Sequence, residues 1–225
     1  MKGTKIIEVI LRGLPETLLL LSMSFSFAML LGIILAISSI RRKASHHRII
    51  HLYLGIVRGT PPLLMLLLAY YGLPPLLKVV GVNIDYWDKI IFGVLGLSIG
   101  WSGYLAEAFR SAYLSVDPGQ VEAGESVGMT YQQIFIHFIF PQAALIALPN
   151  IENLLIGLFK ATSLVYVIGV YDMYNQATNL SNQSSGVYQL QIFIVLAFLY
   201  WGIVLIIEWL FRIIQQRYWF LNVRR

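Results

Sequence analysis

Long apolar runs alternate with short polar ones along this chain. Leu18 to Ile40 carries no charge and is long enough to cross a ~30 Å hydrocarbon core as a helix. Similar runs fill 61–80, 90–113, 143–168 and 188–211. A backbone in lipid must satisfy its own hydrogen bonds, so each run predicts a spanning helix. The pattern is that of an all-α integral membrane protein with about five spans in a single domain, 1–225. Met1 to Glu16 places Ile6, Ile7, Ile10, Leu11 and Leu14 at helical spacing and predicts an interfacial helix. The second run is interrupted at Arg58-Gly59-Thr60-Pro61-Pro62, where Thr60 can cap and Pro61 can start a helix. A helix starting at membrane depth offers free N–H groups and a positive dipole end to an anion. The alternative there is a plain entry turn.

The 115–142 segment, SVDPGQVEAGESVGMTYQQIFIHFIFPQ, is polar between two oily spans. Asp117 as N-cap, Pro118 at the first helical position and Gln120 as the closing box residue predict a short helix to about Val127. Gly128 follows as a left-handed stop. Thr130 with Gln133 predicts a second start, and Pro141 its end. Two short capped helices about a glycine break suit docking to a partner; an amphipathic helix lying on the membrane is the alternative.

The fourth span is the least apolar. Pro149 is expected to break it, and Asn150, Glu152, Asn153, Lys160, Thr162 and Ser163 are polar within it. Ionisable groups at that depth cost roughly 3 kcal/mol or more unless they face a cavity or a partner. Asn153, Gly157 and Lys160 share one helix face, with Glu152 and Ser163 on a neighbouring one. Glu152 and Lys160 lie about 12 Å apart along the axis, too far for one α-amino acid head to bridge. They read either as cargo-binding groups or as ion pairs that hold a bundle together. Glu107 and Arg110, one turn apart near the end of the third span, predict a structural ion pair. Glu208 and Arg212 predict another, and Tyr171 to Val187 a polar connector with a flexible 179–186 loop.

Composition agrees with the spans: 58% hydrophobic, 12% charged. The net charge of +5 is no nucleic-acid signal. Arg41, Arg42, Lys43, Arg48, Arg217, Arg224 and Arg225 flank apolar runs, as topology determinants and headgroup contacts do. They place the 115–142 loop and the C-terminus inside and the N-terminus outside, with Lys2, Lys5 and Arg12 as weak counter-signals. Trp201, Trp209, Tyr218 and Trp219 fit interfacial anchoring. The first span is too long for a signal peptide and lacks a small-residue cleavage site. The chain has no cysteine, so disulfide and thiol chemistry are excluded. His46 and His47 are neighbours rather than helix-face partners and read as a basic loop, not a metal site. His137 has no evident nucleophile or metal partner, and no G-x-x-x-x-G-K-[ST] phosphate loop is present.

Four blocks occur in order: RGTPPLLMLLLAYYGLPP, YLAEAFR, EA-then-Gly128 before Pro141, and PNIENLLIGLFKATSLVYVIG. Together they resemble the polar amino acid uptake permeases, the transmembrane subunits of a group of ABC importers. The resemblance implies a type I importer permease fold in the bacterial cytoplasmic membrane. It identifies 115–142 with the EAA loop, which in the family inserts into a groove on a cytoplasmic ATPase. Glu122, Ala123, Gly124 and Gly128 would carry that coupling, with Gly124 where the family has Ala. Thr60, Glu152, Asn153, Lys160, Thr162 and Ser163 are the candidate substrate-binding residues. The implied partners are a second permease subunit, identical or homologous, two ABC ATPase subunits and an extracytoplasmic solute-binding protein. ATP and Mg would be bound by the ATPase, with no cofactor in this chain. Many relatives have Asp where this chain has Ala161, which points away from arginine or lysine and toward cystine, glutamine or a similar polar amino acid. An ion-gradient-driven carrier or channel is the competing class.

Overall fold

The computed structural model describes residues 3–40 and 44–222, with the backbone alone at 44–47 and 218–222. Arg41, Arg42, Lys43, Arg224 and Arg225, and the side chains of His46, His47, Tyr218 and Trp219, lie outside the described residues. Among the described residues there are eleven α-helices and no strand. They are α1 Gly3–Leu11, α2 Leu14–Ile40, α3 Ala44–Gly59, α4 Pro62–Leu67, α5 Leu73–Val79, α6 Lys89–Leu114, α7 Gly119–Ser126, α8 Tyr131–Ile134, α9 Phe140–Ala161, α10 Met173–Gln183 and α11 Gln189–Asn222. Five stretches are long and apolar enough to cross a membrane: Gly3–Ile40, Pro62–Val79, Lys89–Leu114, Tyr131–Ile168 and Gln189–Arg217.

The bundle is built around α6. Its Gly93, Gly96, Gly100, Gly103 and Ala106 are all buried, so neighbours approach its backbone closely. α2 makes the most extensive contact with it. The matching face of α2 is a four-residue repeat of small side chains, Ser24, Ala28, Gly32 and Ala36, all buried. A methyl on Gly32 would lie 2.9 Å from Leu105 Cβ. Helices have little hydrophobic reason to associate in lipid, and such small-residue seams supply van der Waals packing instead. α9 closes the other side of α6, with Leu158 and Phe159 fully buried in the shared core.

Two spans carry proline without stopping. A π-helical turn at Leu68–Gly72 joins α4 to α5, and another at Phe135–Ile139 joins α8 to α9. In the first, the Leu73 N–H reaches back to the Leu68 carbonyl; in the second, Phe140 reaches Phe135. Pro74 and Pro141 follow at the next position. The wider turn accommodates the missing N–H and the ring clash, so the helix resumes. Pro141 therefore does not end the helix begun at Thr130, and Pro149 sits inside an unbroken α9.

At the end opposite the 115–142 loop, α1, α10 and the start of α11 form a cap with its own core of Ile6, Ile10, Met173, Ala177, Leu180 and Ile192. The 171–187 connector is thus mostly helix rather than flexible loop. Asp172 caps it, accepting from the N–H groups of Tyr174 at 3.2 Å and Asn175 at 2.9 Å. α1 is anchored by Ile6 and Ile10 while Ile7 and Leu11 stay exposed. Among the ion pairs of the described residues, Glu208 and Arg212 do not figure. The nearby polar link is instead Gln215 Nε2 donating to Glu152 Oε2 at 2.9 Å.

Candidate functional site

The 115–142 segment forms a hook between α6 and α9. Asp117 accepts from the Gly119 N–H at 2.8 Å, which starts α7; the Gln120 side chain does not return a bond, so this is an Asx turn and not a closed box. α7 ends in a Schellman motif. The Gly128 N–H reaches the Glu125 carbonyl, and the Met129 N–H the Gly124 carbonyl. Gly128 has φ +79, a conformation glycine takes at no steric cost. α8 starts with a complete capping box: Thr130 N–H donates to Gln133 Oε1 at 2.8 Å, and Gln133 N–H to Thr130 Oγ1 at 3.4 Å.

The hook has its own small core of Val116, Ile134 and Ile139, with Tyr113, Val121 and Met129 against it. Gly124 is the only buried residue of α7, and a methyl there would lie 2.6 Å from Ile134 Cγ1. Close approach of α7 to α8 explains the glycine. Tyr113 and Tyr131 share a 2.8 Å hydroxyl contact that ties the hook to α6. Glu122, Ala123, Glu125 and Val127 are exposed on its outer side. The hook packs on a small core and leaves its outer face exposed.

The polar residues of the fourth span do not converge. Asn153 and Lys160 are exposed along α9. Glu152 points to Gln215 on α11, so it does not join Lys160 in one pocket. Thr162 is fully buried, its hydroxyl donating to the Phe159 carbonyl at 2.7 Å, and Ser163 donates likewise to Lys160. Thr60 Oγ1 donates back to the Ile56 carbonyl at 2.7 Å; Pro61 occupies the cap of α4 without a side-chain bond. Thr60 therefore finishes α3 rather than starting α4.

Two features here escaped the sequence reading. Trp101 Nε1 donates to the Leu154 carbonyl at 2.9 Å and its ring lies beside Gly157, which locks α9 onto α6 at the level of Asn153. No spacing rule connects positions 101 and 154. The second is Arg58, which joins the Glu107–Arg110 ion pair that the sequence predicted. Arg110 Nη2 and Nε donate to the Glu107 oxygens at 2.6 Å and 3.1 Å, and Arg58 of α3 approaches the same carboxylate at 3.6 Å. Arg58 beside the Gly-Thr-Pro break was the available signal.

Five spans around a small-residue central helix, with a helical hook at one end, define a multi-pass membrane permease subunit. The chain belongs to the family described as the binding-protein-dependent transport system inner membrane component, which matches residues 28–220. The L-cystine transport system permease protein TcyL of Bacillus subtilis is 33% identical over 204 residues, 91% of this chain and 84% of that protein. The histidine/lysine/arginine/ornithine transport system permease protein HisQ of Salmonella typhimurium is 34% identical over 181 residues, 79% of each chain. Among solved structures, an amino acid ABC transporter with histidines is 30% identical with TM-score 0.82, covering 96% of this chain and 99% of that one. The MetNI methionine ABC transporter in inward-facing form shares the fold at 20% identity, TM-score 0.74, covering 97% and 99%.

Proposed function

We propose that this chain is the transmembrane subunit of an ATP-driven importer of polar amino acids in the bacterial cytoplasmic membrane. The observation that carries the reading is the hook: two capped helices on a small separate core, presenting an exposed Glu122-Ala123 face between two spans. The cystine and histidine permeases to which the chain is similar supply the cargo class. A separate cytoplasmic ATPase grips the hook and binds ATP and Mg; a second permease copy or homologue and an extracytoplasmic binding protein complete the complex. The hook is packed on its core and tied to α6 through Tyr113, so closure of the ATPases moves it together with α6 and α9. Access to the interior then alternates, with Asn153, Lys160 and their neighbours as the cargo wall.

The test is uptake of cystine and glutamine into proteoliposomes holding the permease, its ATPase and its binding protein. Uptake should require ATP. Uptake that persists without the ATPase, driven by an ion gradient, overturns this reading in favour of a secondary carrier.

A further inference from the structure

α11 is longer than a membrane crossing requires. It runs unbroken for 34 residues, about 51 Å at 1.5 Å per residue. Residues 188–207 carry no charge, and a run of that length already crosses a ~30 Å core. Glu208, Arg212 and Arg217 follow it, so the charged end of the helix begins where a core-length run stops. A tilt of ~20° moves that boundary by about one or two residues. This end touches the rest of the chain on one side. Phe211 packs against the main core, and Gln215, one turn on, donates to Glu152 of α9. Trp209, Ile213 and Ile214 are exposed, and so are Arg212 and Arg217.

Large apolar side chains and guanidiniums thus share one surface, and they are ordered along it. Trp209 lies one turn before Arg212, and Ile213 one turn before Arg217, each pair on one helix face. The charge has one sign. Glu208 is the only acid after Asp172 and is half-buried, and none of the ion pairs of the described residues includes Arg212 or Arg217. The hook, at the same end of the bundle, is the reverse: 115–142 holds Asp117, Glu122 and Glu125 and no Lys or Arg. We infer that the hook-side end of α11 is a binding surface for anionic phospholipid, with the headgroup phosphate on Arg212 and Arg217 and the acyl chains against Trp209, Ile213 and Ile214. An apolar side chain followed one turn later by a cation matches a lipid molecule, tail and then phosphate. The guanidinium fork suits phosphate oxygens, and an indole suits the headgroup level. A second copy of this end would bring like charges together. The inference depends on neither the cargo nor the energy source.

The experiment reconstitutes the full chain in dioleoylphosphatidylcholine vesicles and replaces a rising fraction of the lipid with a dibrominated analogue, which quenches the indoles it touches. Subtracting the signal of Trp209→Phe isolates Trp209. Brominated dioleoylphosphatidylglycerol should bind there roughly 5- to 30-fold more strongly than brominated dioleoylphosphatidylcholine, as expected for one or two basic side chains at an anionic headgroup. Arg212→Gln combined with Arg217→Gln should bring that ratio close to one and leave Tm in detergent unchanged, since both side chains are exposed. Raising NaCl to ~1 M on the unaltered chain needs no variant and should shrink the ratio in the same direction. Equal binding of the two lipids to the unaltered chain overturns the inference, and so does a ratio that survives the double variant or the salt. Quenching of Trp209 by neither lipid means that protein covers this face, which overturns it too.

Discussion

The two ends of the bundle are each covered by short helices, yet they are built in opposite ways. The α1–α10 cap is stitched into the spans. Thr17 Oγ1 accepts from the Met173 N–H at 3.1 Å and donates to the Gly13 carbonyl at 2.9 Å, so α2, the Gly13 corner and α10 meet at one buried point. Asp172 beside it is fully buried. The hook has a separate small core, touched by Tyr113 of α6 and Ala143 of α9, and leaves nearly all of α7 exposed. One end is tied into the bundle; on the proposed function the other is a handle. Substitutions at the cap should therefore cost the whole fold, while substitutions at the hook should cost coupling and spare it.

The largest expected effect follows from Gly13. A methyl there would collide with the Asp172 carbonyl carbon, and backbone cannot rotate away as a side chain can. Gly13→Val should destabilise by about 3 kcal/mol or more, read as loss of monodisperse protein and a lowered Tm in detergent. A Gly13→Val protein that melts normally would end the contrast between the ends.

Asp172 comes next. Burial pushes its carboxyl up to about 7, against the pull of the Asn175 and Tyr174 N–H groups; its ordinary value is 3.8. The folded state thus holds the proton more tightly than the unfolded one. This group's contribution to stability is fullest below about pH 4 and is lost as pH rises toward 7, with a slope approaching ~1.4 kcal/mol per pH unit. Asp172→Asn keeps an oxygen to cap α10 and removes the charge. Melting temperature should flatten across that window in the variant. An unchanged slope would mean that another group sets it.

Gly128→Leu tests the handle. Placing a branched side chain at φ +79 costs about 1–2 kcal/mol, borne by the α7–α8 joint alone. The complex should assemble and melt nearly as before, while cargo-stimulated ATP hydrolysis separates from uptake and uptake falls about tenfold or more. Normal transport by an intact Gly128→Leu complex would remove the hook from the mechanism.

The contrast between the ends also marks what could be read from the sequence. The spans were legible because a 20-residue apolar run in lipid has few alternatives. The hook was legible because Thr130, Gln133 and Gly128 act through local backbone geometry. The cap was not: α10 is polar in sequence, and its helix is set by Asp172 and by Met173, Ala177 and Leu180 packing on α1, 160 or so residues away. Proline misled for a related reason. Its local rule predicts a stop at Pro141 and Pro149, but a π turn carries the helix through Pro141, and α9 runs on through Pro149. The fourth span was legible as unusual polarity only. Which way Glu152 turns depends on Gln215, a residue of another helix.

Gly124→Ala should have the smallest effect, and it separates two explanations for that glycine. On propensity alone, alanine would stabilise α7 by roughly 1 kcal/mol. Packing opposes this, because the added methyl meets Ile134 Cγ1 at 2.6 Å and Cδ1 at 2.7 Å. Ile134 is fully buried at the centre of the hook's core, so its side chain has little room to yield. Overpacking of this kind costs about 1–3 kcal/mol, which leaves a small net loss confined to the α7–α8 joint. Uptake should fall modestly, less than in Gly128→Leu, with bundle stability unchanged. Trimming Ile134 to Val removes Cδ1, one of the two close atoms, and should recover part of the lost coupling in the double variant. If Gly124→Ala instead raises uptake, propensity outweighs the contact, and the hook is looser than its packing implies.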